Sequence, residues 1–474
     1  MVLTLLGRCI LCEAVLLLLP AGIALFHGES ILGFLVAIGI SLLLGGIGII
    51  KKPASRSIYA KEGFVACALS WIVLSLIGAV PFVIEKWIPN YIDAVFEIVS
   101  GFTTTGATVL SDFSMDGCYG LFFWRALSHF IGGMGVLVFI LAIMPLSNER
   151  SIYLMRAEVP GPTVNKLVPK LKNTAIILYL IYILLTVSEV VMLLLGGMSL
   201  YEAVIHAFAT AGTGGFSNRA GSIAEFSPYI QYVISVFMLI FATNFNIHYL
   251  ILMRQFKSAF KDEEFHWYWA IVAVFTAAIA INIGSMMGNA ESAFRTALFQ
   301  VSSIISSTGF LTIDLSLLPA FSQVMLIMLM FIGACAGSTG GAIKVSRIVI
   351  LVKAFLNELR HLLHPGEVLK VRINSKPLPE GVVRSTLLFF GMYMFLISFS
   401  MIIVSLDGYD FTTTSSAVIS CMGNMGPGLW KGSSFAGFSY LSKIVLSLDM
   451  LLGRLEIIPI LMLFNPSVWK HPHR

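Results

Sequence analysis

The sequence predicts an all-α, polytopic membrane protein built from four repeats, with two further spans at its N-terminus. Three observations support this prediction. Of the 474 residues, 57% are hydrophobic and only 12% are charged, whereas soluble domains carry about 25% charged residues. Ten long apolar runs follow one another along the chain. Four shorter segments of mixed polarity lie between the later runs, and each ends in a strip rich in Gly, Thr and Ser.

Each apolar run is long enough to cross a bilayer, because a spanning helix needs about 20 apolar residues. The first two runs, 5–26 and 31–50, stand outside the repeats. The other eight pair up in the order span, short segment, span. These eight runs are 62–84, 119–146, 173–197, 228–253, 267–288, 318–352, 383–405 and 436–464.

Basic residues cluster in four segments and predict the orientation of the chain. Segments 51–61, 147–172, 254–261 and 344–384 hold 4, 5, 3 and 8 of the 30 Lys and Arg residues. All four fall on one side if every run spans once, and positively charged loops stay in the cytoplasm. We therefore expect both termini to be cytoplasmic. The modest net charge of +5 does not indicate a nucleic-acid partner.

In this orientation the short segments face the outside, together with a group of acidic residues. Carboxylates at an entrance would concentrate cations there. Ordinary solvated loops are the alternative explanation for each residue. The acidic residues are Asp112, Asp116, Glu202, Glu225, Glu291, Asp314, Asp407 and Asp410.

Each short segment begins with helix-start residues and ends in its strip, which predicts span–pore-helix–span repeats of fourfold pseudo-symmetry. Irregular backbone inside a membrane is tolerated where it is buried in protein or lines a cavity. Four strips around one axis would form rings of carbonyl oxygens that can replace the water shell of a cation, and helix C-terminal ends are partly negative. The alternative is four ordinary loops or small-residue helix contacts. The candidate cation-binding residues are Thr104, Thr105, Gly106, Gly212, Thr213, Gly214, Ser307, Thr308, Gly309, Asn424, Met425 and Gly426.

The repeats divide the chain into five segments. They are the two N-terminal transmembrane helices (1–58), the first repeat (59–150), the second repeat (151–260), the third repeat with a broken helix (261–360) and the fourth repeat (361–474).

The strips resemble the selectivity filter of the bacterial Trk/Ktr potassium-uptake superfamily, and the two additional N-terminal spans resemble its TrkH-like membrane subunits. The resemblance covers essentially the whole chain. It implies one filter glycine per repeat, K+ as the transported ion, and no organic cofactor in this chain. A serine at the first filter position goes with sodium transport in plant relatives, so a glycine there favours potassium. The four glycines of this pattern are Gly106, Gly214, Gly309 and Gly426.

The same resemblance implies partners and a location. It implies a homodimer in the inner membrane of a bacterial cell. It also implies a TrkA-like cytosolic ring that binds ATP, ADP or NADH and controls passage of the ion. The basic segment 344–384 is a candidate docking surface for that ring, although the positive-inside rule alone also explains its charge.

Glycines interrupt the eighth apolar run, and such a stretch should break a helix at membrane depth. It resembles the intramembrane loop of the family, which hinders ion passage and must move for conduction. Close helix packing through small residues is the alternative. Lys344 follows the stretch and is expected to point toward the cytoplasm. The candidate gate residues here are Gly333, Gly337, Ser338, Thr339, Gly340 and Gly341.

The last run contains Asp449, Arg454 and Glu456, and charges within a span usually face a cavity or a partner. The surrounding stretch resembles the final pore-lining helix of the family, whose arginine projects into the pore. Arg454 would then be part of the gate, as an electrostatic barrier to a passing cation. A permanent ion pair with Asp449 or Glu456 is the structural alternative.

The sequence gives less support to other classes of protein. The six cysteines are scattered, so neither a disulfide framework nor a zinc site is expected. The glycine strips lack the context of a nucleotide-binding loop, and we find no convergent set of His, Asp and Glu, so we do not expect an enzyme. A secondary active potassium or sodium symporter is the alternative function, although it would favour inverted repeats and carboxylates at mid-membrane.

Overall fold

The computed structural model describes residues 2–50, 60–111, 113, 117–135, 171–367 and 369–466. Most of these residues are helical, and the described part of the chain contains one two-stranded antiparallel hairpin. The first two spans are formed by α1 (Val2–Leu16) with α2 (Leu18–Phe26), and by α3 (Leu32–Ile50). They pack on each other closely, because Gly7, Gly45 and Gly48 leave no room for a side chain between the two backbones.

The remaining elements follow in the order that the repeats predict. They are α4 (Ala60–Gly78), α5 (Val80–Ile84), α6 (Tyr91–Phe102), α7 (Tyr119–Met134), α8 (Leu171–Leu195), α9 (Leu200–Gly212), α10 (Pro228–Phe241), α11 (Phe245–Leu252), α12 (Phe256–Ala259), α13 (Glu263–Met287), α14 (Ala290–Ile305), α15 (Ala320–Ile332), α16 (Val345–Leu363), β1 (Arg372–Ile373), β2 (Lys376–Pro377), α17 (Glu380–Val404), α18 (Phe411–Met422), α19 (Tyr440–Arg454) and α20 (Ile458–Leu463). Short 3-10 turns occupy Leu315–Leu317 and Ser405–Asp407.

Six helical segments within the described ranges are long and apolar enough to cross a membrane, or seven if α10 and α11 count as one span. The sequence predicted ten spans, and the difference lies in four of the runs. Helix α7 has 16 residues, and the end of its predicted run, 136–146, lies outside the described residues. The run 228–253 bends by 96° between α10 and α11. The runs 318–352 and 436–464 are each broken into two helices, because irregular backbone interrupts them after Ile332 and after Arg454.

Four short helices, α6, α9, α14 and α18, start at side-chain caps. A cap satisfies amides that have no partner at a helix N-terminus. It therefore fixes where each short helix begins and where its C-terminal strip lies. The caps are Asn90 to the amide of Ile92 (2.9 Å), Ser199 to that of Glu202 (3.3 Å), Asn289 to that of Ser292 (2.7 Å) and Asp410 to that of Thr412 (3.0 Å).

Candidate functional site

Each of the four short helices leads into a strip of irregular backbone, and the four strips share one conformation. A residue with positive φ is followed two positions later by a glycine with positive φ. Glycine adopts this conformation without strain, which explains its place in all four strips. The pairs are Thr104 (54°) with Gly106 (83°), Thr213 (56°) with Gly215 (74°), Ser307 (58°) with Gly309 (83°), and Asn424 (53°) with Gly426 (93°).

These glycines bring the strips into contact in a closed ring. A Cβ atom placed on each glycine would overlap or crowd a carbonyl oxygen of the next strip. The carbonyl in each case belongs to the residue just before the glycine of that next strip, so one contact is repeated four times. The contacts run from Gly106 to Gly214, from Gly215 to Thr308, from Gly309 to Met425, and from Gly426 back to Thr105.

The second strip corrects the register predicted from the sequence. The equivalent of Gly106 is Gly215, whereas the sequence predicted Gly214. Gly212 is the last residue of α9 rather than part of the strip, because Thr213 adopts the left-handed conformation that ends the helix. Gly214 takes the middle position, where a Cβ atom would overlap the ring of His129.

A polar side chain of each short helix braces the outer end of the strip that follows it, and the sequence analysis missed these residues. Glu97, His206 and Gln300 each precede the positive-φ glycine of their repeat by nine residues, a spacing that could have revealed them. The braces are Glu97 to the amide of Val109 (2.9 Å), His206 to the hydroxyl of Ser217 (3.0 Å), Gln300 to the hydroxyl of Thr312 (3.1 Å) and Ser416 to the amide of Leu429 (3.0 Å).

The brace of the first repeat is part of a buried ion pair that joins two strips. The Glu97 carboxylate lies 2.6 Å from the guanidinium of Arg125, and their side chains are 0% and 2% exposed. The guanidinium also donates to the carbonyl of Ser217 (3.4 Å) and lies 3.9 Å from the ring centroid of Phe216. Arg125 therefore connects the outer end of the first strip to that of the second.

Replacing Glu97 with glutamine should destabilise the protein strongly. The change leaves the Arg125 charge buried without its carboxylate, and breaking a buried pair in this way costs about 3–5 kcal/mol. We expect a clear fall in the thermal unfolding midpoint, measured by intrinsic fluorescence in detergent. Glu291→Gln is the matched control, since it removes a carboxylate that is 55% exposed from its ion pair with Arg295. Equal midpoints for the two variants would show that the buried pair does not hold the strips.

The loop of residues 333–344 lies between α15 and α16 and contacts the third and fourth strips; it is called the intramembrane loop because the sequence predicts it at membrane depth. The amide of Gly341 donates to the hydroxyl of Ser307 at 2.5 Å. A Cβ atom on Gly341 would overlap the carbonyl of Gly423, and one on Gly340 would lie 2.7 Å from the carbonyl of Ser306. The glycines of the loop therefore allow its backbone to approach the strips closely.

The broken run 228–253 supports the other side of the loop. Asn244 caps α11 through the amide of Asn246 at 2.9 Å. The amide of Phe245 donates to the carbonyl of Gly337 at 3.1 Å, and the amide of Cys335 donates to that of Ala242 at 3.0 Å. The bend between α10 and α11 thus exposes backbone groups that the loop uses as partners.

Arg454, at the end of α19, contacts the same loop. Its guanidinium donates to the carbonyl of Thr339 at 2.6 Å and to that of Gly133 at 2.7 Å, and it also bonds the carbonyl of Gly132. It therefore ties the loop to the C-terminal end of α7.

Two carboxylates near Arg454 have other partners. Glu456 forms an ion pair with Arg347 at 2.5 Å, and Asp449 accepts a hydrogen bond from Ser400 at 2.7 Å. The alternative that the sequence left open placed Arg454 in an ion pair with one of these two residues. The contacts described here instead place the Arg454 guanidinium on backbone carbonyls.

Two further charged side chains lie at the loop. Lys344, which the sequence predicts to point toward the cytoplasm, has a buried side chain whose ammonium donates back to the carbonyl of Gly340. The Lys344 ammonium is therefore buried in the loop, next to a backbone carbonyl that accepts its hydrogen bond. Glu264, which the sequence analysis missed, accepts hydrogen bonds from the amides of Ala336 (2.7 Å) and Ser346 (3.0 Å). One carboxylate at the start of α13 therefore holds both ends of the loop.

Several of the outer acidic residues have structural roles. Glu202 and Glu225 both pair with Arg219. Asp410 caps α18, where hydrogen bonds from the hydroxyl and amide of Thr413 hold the pKa of its carboxyl below the ordinary value. Asp112 and Asp116 lie outside the described residues. The ion pairs of Glu202 and Glu225 with Arg219 offset part of the negative charge that the sequence predicts for an outer entrance.

These features define a class of protein: a multi-pass helical membrane protein in which four strips of one chain meet in a closed ring above an intramembrane loop. The sequence profile of the TrkH family, described as a cation transport protein, matches residues 34–471. The chain therefore belongs to the TrkH family, whose members are membrane transport proteins of the Trk/Ktr superfamily.

Individual relatives agree with this assignment. The Trk system potassium uptake protein TrkH of Escherichia coli (strain K12) is 36% identical over 446 residues, which cover 92% of this chain and 91% of that protein. The Trk system potassium uptake protein TrkG of the same strain is 34% identical over 462 residues, covering 95% and 94%. The crystal structure of the potassium transporter TrkH from Vibrio parahaemolyticus is similar with a TM-score of 0.88 and 31% identity, and 99% of each chain is covered.

Proposed function

We propose that this chain mediates potassium uptake through a channel-like pore, in which K+ moves down its electrochemical gradient. The observation that supports this most directly is the closed ring of four strips. A ring of backbone carbonyls can replace the hydration shell of a potassium ion, and the C-terminal ends of four short helices make its centre favourable for a cation. The relatives described above are potassium uptake proteins by name.

In this proposal the four strips are the selectivity filter, and the repeats around them have fourfold pseudo-symmetry. The filter residues take three positions along the path of the ion. The first position is held by Thr104, Thr213, Ser307 and Asn424, the second by Thr105, Gly214, Thr308 and Met425, and the third by Gly106, Gly215, Gly309 and Gly426.

The intramembrane loop and Arg454 form the gate in this proposal. The loop lies against the third and fourth strips, and Arg454 holds it through the carbonyl of Thr339. A positive charge below the filter opposes a passing cation. Release of the loop would therefore remove a steric and an electrostatic obstacle together.

The proposal includes control from the cytoplasm. A cytosolic ring that binds ATP, ADP or NADH would act on the gate, and the membrane subunit would be a homodimer in the inner membrane of a bacterial cell with both termini in the cytoplasm. Membership of the TrkH family supports this arrangement, as do the basic residues of segment 344–384. A secondary active K+ or Na+ symporter is the competing function, and it would couple ion flux to a second gradient.

The experiment that tests the proposed function is ion flux into liposomes that contain only the purified protein. We expect potassium and rubidium flux, driven by an imposed membrane potential, to exceed sodium and lithium flux. Gly106→Ser should lower potassium flux and weaken this discrimination, because the added side chain would overlap the carbonyl of Gly214. Flux that requires a proton or sodium gradient would instead favour the symporter. Flux that ignores ion identity would overturn the assignment of the filter.

A further inference from the structure

A basic pocket is lined by residues of segment 344–384, one of the positively charged segments of the sequence. It has a volume of about 490 Å³. One wall is a face of α16, where lining residues recur at helical spacing from Lys353 to Leu363. The opposite wall is the chain that leads into β1, with Lys370 and Arg372. The pocket therefore lies between α16, which follows the intramembrane loop, and the chain that enters the β1–β2 hairpin.

The positive charge of this pocket is only partly neutralised. Lys353 forms an ion pair with Glu263 and donates to the carbonyl of Arg372 at 2.8 Å. Within the described residues, no carboxylate lies within ion-pair distance of Arg360, Lys370 or Arg372. Three cations that converge on one cavity without counter-charges favour a polyanionic ligand such as a phosphate group.

Apolar side chains line the same pocket. Leu356, Leu359 and Leu363 are 53%, 43% and 75% exposed. Leucines beside a phosphate-binding cluster are unfavourable in water but suit the glycerol backbone and acyl chains of a lipid. Basic pockets on the cytoplasmic side of membrane proteins bind anionic headgroups for this reason.

We propose that this pocket binds the phosphate of an anionic phospholipid headgroup and that its occupancy is transmitted to the intramembrane loop. The combination of unpaired cations with exposed leucines favours a lipid over a free phosphate compound. The transmission step rests on the proposed function of the loop, whereas the binding step does not.

Three consecutive acidic residues at the start of α13 provide the path of transmission. Asp262 accepts a hydrogen bond from the side chain of Asn374 at 3.1 Å, and Glu263 accepts from the amide of Asn374 at 3.2 Å while it pairs with Lys353. The next residue, Glu264, holds both ends of the loop. A phosphate in the pocket competes with Glu263 for Lys353. It therefore loosens the turn from which Glu264 fixes the loop.

Lipid binding can be measured without reference to transport. Delipidated protein would be titrated with phosphatidylglycerol, phosphatidylcholine, ATP and inorganic phosphate, and bound species would be counted by native mass spectrometry. We expect phosphatidylglycerol to bind in preference to the other three, and to bind about tenfold more weakly to Arg360→Gln/Lys370→Gln. The matched control is Arg254→Gln/Lys257→Gln, which removes two exposed basic residues outside the pocket. Equal loss of binding in both variants, or binding of ATP or phosphate without binding of the lipid, would overturn the site.

Flux measurements test the transmission step. We expect phosphatidylglycerol in the vesicles to raise potassium flux several-fold in the wild type and in the control, but not in Arg360→Gln/Lys370→Gln. Glu264→Gln should show raised flux in vesicles of phosphatidylcholine alone. An equal effect of the lipid on the pocket variant and the control would refute transmission. A wild-type protein without flux in every vesicle would refute the proposed function and the transmission step together, and the mass spectra would then decide the site separately.

Discussion

Gly215→Ala is expected to reduce selective potassium flux strongly. The glycine has a φ of 74°, and an L-residue with a left-handed backbone is strained by roughly 1–2 kcal/mol. Its Cβ atom would also overlap the carbonyl of Thr308 in the next strip. Strain of that size corresponds to roughly a tenfold change in an equilibrium. Since the overlap adds to the strain, we expect potassium flux in liposomes to fall by at least about tenfold.

Gly391→Ala is the matched control for this experiment. Gly391 lies in α17, where a Cβ atom meets no other group within 4 Å, so flux should be unchanged. Gly106→Ala should behave like Gly215→Ala, because both glycines hold the third position of their strips. Wild-type flux in Gly215→Ala would contradict both the register of the second strip and its place in the ion path.

Removing the charge of Arg454 is expected to raise potassium flux in the absence of any partner. A unit charge a few ångströms from the path of a cation costs on the order of 1–4 kcal/mol in an environment of intermediate polarity. Arg454→Ala also breaks the hydrogen bond to the carbonyl of Thr339 and so frees the intramembrane loop. We expect flux to rise by roughly tenfold in liposomes that contain the purified variant.

Arg454→Lys separates the two effects of this side chain. Lysine keeps the charge but cannot reach the three carbonyls of Thr339, Gly132 and Gly133 with one planar group. Flux close to wild type in Arg454→Lys would show that the charge is the main obstacle. Flux as high as in Arg454→Ala would show that the tie to the loop matters more. Unchanged or lower flux in well-folded Arg454→Ala would contradict a role of this residue in the gate.

The sequence was a good guide where composition and periodicity carry the information. The apolar runs predicted a multi-pass helical protein, and the glycine-rich stretch after Ile332 predicted the break that separates α15 from α16. Membership of the TrkH family follows from the profile and the relatives. The filter was predicted from four strips that are far apart in sequence, and the gate from the glycines of the eighth run and the charges of the last run; both stay predictions.

The sequence was a poor guide where a neighbouring element decides the conformation. Gly214 and Gly215 are adjacent in the second strip and cannot be told apart by composition, whereas the contact of Gly215 with Thr308 distinguishes them. The pair Gly215–Phe216, which matches Gly309–Phe310, was the available sequence signal.

Glu264 shows why some residues of the site could not be found from the chain alone. It lies 72 residues before its partner Ala336. Acidic residues are also common in the first turn of a helix, so its sequence position does not indicate a special role. The positive-inside rule describes whole loops rather than single side chains, so it could not reveal that the Lys344 side chain is buried and contacts the carbonyl of Gly340.

The ring in this protein is assembled by one chain, and the brace behind each strip differs. Glu97, His206, Gln300 and Ser416 are respectively a carboxylate, an imidazole, an amide and a hydroxyl. In an assembly of four identical subunits, one amino-acid substitution would change all four equivalent positions of the ring at once. Here a codon change alters one strip and leaves three intact. If the ring is the filter proposed above, its surroundings can therefore change one strip at a time, through intermediates that each retain most of the original ring.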